Sequence, residues 1–583
     1  MTNISKQKRE KMILFLEKIK KQHNDDESII ALNEIEKVLT DKKYGLVWEE
    51  HTERVDEEMK TKIPVFIEDK DREIVSDKSL PYNFIIEGDN LHSLKLLEKT
   101  HKGKIDVIYI DPPYNTGNKD FIYDDIIVDS QDTFKHSKWI SFMNERLNVA
   151  KKLLSQDGII LISIDDNEYS QLKILCDEIF GEENRLSTHH IQVRYTNKSL
   201  NEDNDWQPVM EYVLIYSKNK KLFKANKPKE PYDLSKFCYK ITELSKGETI
   251  EIANKTVTIF KEGEWKIEKE EEGKVGLLKE TWASGSIVRQ SGTAAEFLSK
   301  HLISRKSTDG LNVLYKIHNM GEDGLGYRYV TGPKKANAIR GKFYTGVPID
   351  RIKELENGKS EKTRPIPNFY DYSSEFGNIR HEGGVAFNSG KKPVKMLKEF
   401  INYHKNKNVI VLDFFAGSGS TGQAVLELNV EDRGNRKFIL CTNNENNICD
   451  QITYQRCKTV ITGKRLDKSK YSEGIPANLK YYKTDFIDRY PKDETLTNLT
   501  LQNTKEMIQL ENAINIGDRN MLVFDEEDAE RIINQNLINR QKLYISSNVL
   551  LSNEQKIILK DKEIAVFDIP DYYFNFELKE VGE

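Results

Sequence analysis

Cysteine is scarce in this sequence. Its five residues, Cys176, Cys238, Cys441, Cys449 and Cys457, are odd in number and form no CxxC pair, which excludes a disulfide framework and a zinc site and predicts reduced thiols of a cytoplasmic protein. Long apolar runs are also missing: no stretch reaches the roughly 18 apolar residues a membrane-spanning helix needs, so no membrane association is expected. The opening residues, MTNISKQKREKMILFLEKIKK, alternate charge with apolar positions and give no uninterrupted signal-peptide core. Positive charge is not in excess, because 89 Lys and Arg face 94 Asp and Glu for a formal net charge of -5. A nonspecific coat for a polyanion is thereby disfavoured, and any nucleic-acid binding has to use a local basic surface. A GxxxxGK[ST] loop is absent as well, so ATP-driven work would have to come from a partner.

What remains is a chain of 583 residues, 38% hydrophobic and 31% charged, too long for one hydrophobic core. Residues 1–80 carry spaced apolar positions (Ile13, Leu14, Leu16, Ile19, then Ile29, Ile30, Leu32, Ile35) that predict an N-terminal helical arm or packing layer. Over 81–220 the pattern becomes strand, helix, strand: NFIIEGD, LHSLKLLEK, KIDVIYIDPPYNTG, then the helix WISFMNERLNVAKKLL and the strands GIILISIDD and EYVLIYSK. Such apolar runs belong in a parallel sheet buried on both faces. Residues 221–385 lose this alternation and read as an inserted domain. The buried-strand signal returns over 386–485 with NVIVLDFFAGSGSTGQAVLEL and RKFILCTNNEN, so the sheet is completed from a distant part of the chain. Residues 486–583 read as a helix and three short strands, MLVFD, KLYIS and EIAVFD, a C-terminal α/β module.

Two constellations carry chemistry. The run Asp413-Phe414-Phe415-Ala416-Gly417-Ser418-Gly419-Ser420-Thr421 lies between an apolar strand and a helix, where glycines let the backbone approach a bound nucleoside. Alone it is a weak signal, the alternative being a tight turn without a ligand. Glu445, just past the next strand, stands where a carboxylate would accept ribose hydroxyls, or is an exposed loop acid. Asp111-Pro112-Pro113-Tyr114 is sharper. Two prolines fix the backbone and donate nothing, so the Asp111 carboxylate and the Pro112 carbonyl form two acceptors for one donor group, with an aromatic ring beside them. That set suits a planar base bearing an amino group.

Together, DPPY first and FAGSGST last, these motifs resemble the amino-methyltransferases of DNA in their beta arrangement. With IIEGDN, DPPYNTG, GIILISIDDNE, FGEEN and FNSGKKPVKML, the chain resembles the modification subunit of type III restriction-modification systems. The resemblance implies a Rossmann-like S-adenosylmethionine-dependent α/β sheet in permuted motif order, with an inserted target-recognition domain, that methylates the adenine N6 amine of double-stranded DNA by base flipping. It assigns Asp111, Pro112, Pro113 and Tyr114 to the target base. The cofactor pocket would comprise Asp89, Phe387, Lys391, Pro393, Asp413, Phe414, Phe415, Gly417, Ser418, Gly419, Ser420, Thr421 and Glu445. Phe387 and the Lys391-Lys392-Pro393 run would close over the cofactor's methionine end, the two lysines being equally readable as solvated surface. DNA contacts are expected in the insertion from Arg289, Arg328, Lys334, Lys335, Arg340 and Lys342, beside Tyr327, Tyr329, Phe343 and Tyr344, the alternative being a solvated basic loop. The resemblance further implies a homodimer and a separate ATP-dependent restriction subunit, and no metal. The same geometry accepts a cytosine amine, a stand-alone adenine methyltransferase would share every motif, and a specificity subunit without activity would share the fold.

Overall fold

The computed structural model describes residues 4–22, 25–40, 48–49, 51–117, 122–123, 126–127, 132–198, 205–282, 294–321, 323–357, 360–387, 390–492, 495–517, 519–535, 537–570 and 573–582. The chain forms two compact units, Met1–Asn226 with Pro367–Glu583, and Lys227–Ile366.

The first unit is built on a ten-stranded sheet. In chain order its strands are β1 (Lys62–Glu68), β2 (Tyr82–Glu87), β3 (Ile105–Ile110), β4 (Leu154–Ile164), β5 (Arg185–Gln192), β6 (Met210–Ser217), β7 (Phe369–Asp371), β8 (Ile410–Asp413), β9 (Lys437–Thr442) and β10 (Asn478–Asp488). Their spatial order is β1-β10-β2-β9-β8-β3-β4-β6-β5-β7. The six strands from β10 to β4 run parallel, with β1 and β6 antiparallel to their neighbours. Burial alternates between the two faces. Ile108 and Ile110 join the core shared with helices Asn90–His101 and Lys135–Leu153, whereas Tyr109 between them sets its ring 6.4 Å from Phe400 of helix Val394–Ile401. Helices therefore cover both sides, which is why these strands are apolar throughout rather than alternating.

Three segment boundaries differ from the sequence reading. The expected helical arm ends in β1, whose Ile63, Val65 and Phe66 are buried at the sheet edge, where Pro64 is tolerated. On leaving the insertion the chain pairs β7 with β5 in parallel, so residues from 367 rather than 386 belong to the first unit. Strand β10 runs on past residue 485. Beyond it, Met507, Ile508 and Leu510 of helix Thr504–Asn512 enter the main core, as do Tyr573 and Phe574. A three-stranded parallel sheet (Asn520–Val523, Lys542–Ile545, Ala565–Asp568) has its own core around Val523, Ile533 and Leu543.

The second unit is an eight-stranded antiparallel sheet ordered 248–252, 255–260, 314–318, 327–331, 342–345, 278–282, 237–243 and 265–269. Its core gathers Val257, Ile259, Val313, Ile317 and Val330.

Candidate active site

Strands β3 and β8 lie side by side in parallel register, Val107 opposite Val411 and Ile108 opposite Leu412. From β3 the chain returns through helix Lys135–Leu153 to β4 on one side, and from β8 through helix Ser420–Asp432 to β9 on the other. Such a reversal opens a crevice at the carboxyl ends of the two strands. A cleft of about 1300 Å³ lies there, lined by the whole Asp111-Pro112-Pro113-Tyr114 segment and by Asp413, Phe415, Gly417, Ser418, Ser420 and Thr421. The two motifs are some three hundred positions apart in the sequence and share one cavity.

The first motif is pinned from beneath. Trp139, fully buried, donates its indole N–H to the Pro113 carbonyl at 2.7 Å. Asn115, in the left-handed region at φ 58°, donates to Glu168 Oε1 at 2.5 Å and to the Lys135 carbonyl at 3.2 Å. Burial raises the pKa of the Glu168 carboxyl, and His136 Nδ1 lies 2.6 Å from it. In the cleft, the Tyr114 hydroxyl is 2.9 Å from Asp111 Oδ1 and 3.0 Å from Glu211 Oε2. Lys392 Nζ donates to Tyr114 Oη at 2.7 Å and to Glu211 Oε2 at 2.8 Å, and stands 3.1 Å from Asp111 Oδ1. Burial pushes the Asp111 pKa up, with Lys392 pulling against it and Glu211 adding to it. For Lys392 burial works downward, but Asp111 and Glu211 outweigh it and the pKa is raised.

In the second motif, Asp413 Oδ1 accepts from Phe415 N at 3.0 Å and Oδ2 from Thr421 Oγ1 at 2.6 Å, a hydroxyl bond that shapes the loop. Burial raises Asp413 to about 7. Gly417 (φ 47°) faces open space, since an added Cβ would meet only the Phe415 carbonyl, at 3.8 Å. Gly419 differs. At φ 73° its Cβ would come within 3.2 Å of the Thr453 backbone oxygen, so it serves close packing of the segment Ile448–Tyr454, and it does not line the cleft. Arg456, fully buried, donates to Ser420 Oγ at 2.7 Å, Ser418 Oγ at 3.3 Å and Gln423 Oε1 at 2.8 Å, and pairs with Glu382 at 3.1 Å.

Phe387 and Lys391 also line the cleft. Lys391 Nζ donates to the carbonyls of Arg380, Glu382 and Val385 at 2.9, 3.1 and 2.7 Å, and burial with the nearby Arg456 charge lowers its pKa to about 8. Both lysines of the pair are buried, which removes the solvated-surface reading. Other expected cofactor contacts do not line the cleft. Phe414 is fully buried in the core, and Pro393 caps helix Val394–Ile401. Asp89 caps helix Asn90–His101, its Oδ1 accepting from Leu91 N at 2.7 Å. Glu445 is exposed in a turn beyond β9, and the end of that strand presents Thr442 to the cleft instead.

Residues missed by the sequence reading include Glu211, Glu168, Trp139 and Arg456, and a rim of Arg194, Tyr195, Lys198 and Trp206, the last 87% exposed. The only sequence signal for Glu211 is a carboxylate opening an otherwise apolar strand, EYVLIYS. In the second unit, Arg289 lies outside the described residues. Arg328 is paired with Asp323 at 2.6 Å and Lys342 with Glu280 at 2.6 Å. Phe343, Tyr329 and Tyr344 are buried in that unit's core rather than displayed beside the basic residues. Lys334 and Lys335 are exposed and Arg340 half-buried, and none of the three has a carboxylate partner among the described residues.

Comparison with known proteins gives the site a family. Residues 105–454 match the model of a DNA methylase family. The chain is 31% identical over 428 residues to the type III restriction-modification enzyme EcoPI Mod subunit of Escherichia phage P1, covering 65% of this chain and 60% of that one. Identity is 30% over 412 residues to the StyLTI Mod subunit of Salmonella typhimurium, covering 65% and 55%. It is also 30% over 414 residues to the type II methyltransferase M.KpnI of Klebsiella pneumoniae, covering 69% and 90%. The chain thus spans little more than half the length of the type III relatives it matches. With its family motifs meeting at the switch point of a Rossmann-like sheet, the chain belongs to the DNA methylase family.

Proposed function

We propose that this protein is a site-specific DNA methyltransferase that uses S-adenosylmethionine to methylate the N6 amine of adenine, as the modification and recognition subunit of a type III restriction-modification system. The observation that carries this reading is the single cleft shared by Asp111–Tyr114 and the Asp413–Thr421 loop.

The residues present fit the cofactor. Gly417 leaves room that a Cβ would fill, Phe387 and Phe415 offer apolar walls, and Lys391, whose three donor hydrogens are taken by carbonyls, offers its positive charge to a carboxylate. When bound, S-adenosylmethionine supplies a methyl group made electrophilic by its sulfonium. The protein's own part is alignment and charge. The Asp111 carboxylate and Pro112 carbonyl accept the two amine hydrogens and stabilise the positive charge that grows on nitrogen during attack. Tyr114 offers its ring to a base lifted out of the duplex, which costs a few kcal/mol of lost pairing. Arg194 and Lys198 on the rim are charged for phosphate, and exposed Trp206 for stacking. Lys334, Lys335 and Arg340 in the second unit serve DNA recognition.

For its assembly we propose a homodimer that also binds a separate ATP-dependent restriction subunit, a reading supported by the likeness to type III Mod subunits. A second reading, a methyltransferase working alone, is favoured by the match over 90% of M.KpnI. Among the described residues no helix is long and apolar enough to cross a membrane. Mass spectrometry of nucleosides from DNA treated with the protein and labelled cofactor tests the reaction and separates N6-methyladenine from N4-methylcytosine. Copurification with a restriction subunit expressed beside it separates the two readings of its assembly.

A further inference from the structure

Three charged groups meet beside Tyr114. Asp111 comes from the end of β3, Glu211 from the start of β6 and Lys392 from the turn before helix Val394–Ile401, and their side chains are 18%, 22% and 8% exposed. Buried ion pairs seldom repay their desolvation, so a lysine set between two carboxylates here is not explained by stability. It is explained by what the site has to hold. Asp111 brings a negative charge to its acceptor oxygens only as a carboxylate, yet burial favours its neutral acid. An ammonium 3.1 Å away opposes that tendency. On its own this ammonium would also cancel the negative charge needed against the cation forming on the base amine. Glu211, closer to the ammonium at 2.8 Å, offsets it and leaves the trio with one net negative charge.

We propose that Glu211 and Lys392 are the charge-setting pair of the methylation site: Lys392 keeps Asp111 ionised, and Glu211 offsets Lys392 so that the site meets the developing cation with one negative charge. The inference rests on the methyltransferase reading above. Both act through Asp111 and Tyr114, and are positioning residues. Among the described residues, the hydroxyls of Tyr109 and Tyr114 and the carboxyl of Asp413 on the neighbouring strand also interact with Asp111, and Asp165 interacts with Glu211.

The test is the pH dependence of kcat for the full chain on duplex DNA, for the unmodified protein, Lys392→Met, Glu211→Gln and the double variant. Cofactor affinity by calorimetry and circular dichroism report folding. With Lys392→Met two neighbouring carboxylates must share a proton, so the acid limb moves up by about one pH unit or more. Glu211→Gln lowers kcat by about tenfold without raising the limb, because the site has become neutral. In the double variant the limb returns toward that of the unmodified protein, a reversal that loss of packing would not produce. Should Lys392→Met be inactive throughout, Lys392→Cys treated with bromoethylamine rebuilds an ammonium at nearly the same reach. Position 392 lines the cleft whereas the five native cysteines are buried and do not, so the reagent reaches the new thiol through the cleft, and activity returns if charge is what matters. An unmoved limb in an active Lys392→Met, full kcat in Glu211→Gln, or no recovery after aminoethylation of a folded Lys392→Cys would overturn the pair. Absence of any methylated base with the unmodified protein would instead overturn the methyltransferase reading itself.

Discussion

The indole nitrogen of Trp139 donates to the carbonyl of Pro113 at 2.7 Å from a fully buried ring. Of the two proline carbonyls in the motif, this bond engages the second from below, while the Asp111 carboxylate is in the cleft above. Trp139→Phe would keep most of the ring and remove the donor, leaving a carbonyl unpaired at a cost of about 1–3 kcal/mol. The expected outcome is a lowered denaturation midpoint and a larger loss in methylation than in cofactor affinity. Thermal melts, calorimetry and labelled-methyl transfer read the three quantities, and equal losses in transfer and affinity would argue against loop positioning.

Asp111→Ala removes the one acceptor in the motif that carries charge. Methylation is expected to fall by about three orders of magnitude, the scale seen when a site loses its main electrostatic stabiliser, while cofactor binding stays near normal. Nucleoside mass spectrometry and calorimetry on one preparation decide it. Near-normal turnover would remove Asp111 from the mechanism.

The two glycines of the second motif should fail in different ways. Gly417→Val puts a side chain where only the Phe415 carbonyl lies within 4 Å, so beyond the strain any side chain meets at φ 47° it occupies cofactor space, and cofactor affinity falls further than the strain alone would take it. Gly419→Ala drives a Cβ to 3.2 Å from the Thr453 backbone at a positive φ, so it lowers the melting temperature first. A reversed order of effects would exchange their assignments.

These contrasts mark what was legible in the sequence. KIDVIYI, GIILISI and NVIVLD could be read as buried strands because strands covered on both faces are apolar throughout. The DPPY and FAGSGST motifs could be read because prolines and glycines state a backbone requirement locally. Strand β7 could not, since its three residues, FYD, carry no periodicity and exist only through pairing with β5. Glu211 was opaque, and Lys392 was readable only as part of a run expected over the cofactor rather than beside Asp111, for a related reason: each acquires meaning only when segments far apart in sequence become neighbours. The ion pairs of Arg328 and Lys342 were opaque too, because the acids that engage them, Asp323 and Glu280, are fixed by the insertion's antiparallel pairing and turns, which the basic composition of the segment conceals.

Asp413 gives a pH prediction with a definite sign. Its folded pKa, about 7, is raised above the ordinary aspartate value of 3.8 by burial, so the fold favours the neutral acid. The resulting stabilisation is fully present below about 4 and is lost as pH rises through about 7. Asn at this position is permanently neutral, accepts from Phe415 N and donates toward Thr421 Oγ1. The melting temperature of Asp413→Asn relative to the unmodified protein is therefore expected to climb between pH 5 and 8. A difference that stays flat or falls over that range would mean Asp413 is ionised throughout.

The insertion separates cations available to DNA from cations committed to the fold. Lys334, Lys335 and Arg340 have no carboxylate partner among the described residues, whereas Arg328 holds Asp323, whose side chain is 2% exposed. Changing the first three to Ala should weaken DNA binding and flatten the slope of log affinity against log salt by up to about 2.7, which is about 0.9 for each phosphate no longer neutralised. Melting and cofactor affinity should not change. Arg328→Ala should do the opposite, stranding a buried carboxylate at a cost of about 3 kcal/mol or more and destabilising the second unit before DNA is involved. Fluorescence anisotropy at several salt concentrations, paired with melts of each variant, distinguishes the two classes. An unchanged salt slope in the triple variant would move the DNA-binding surface away from residues 334–340, leaving the rim at Arg194, Lys198 and Trp206 as the next place to substitute.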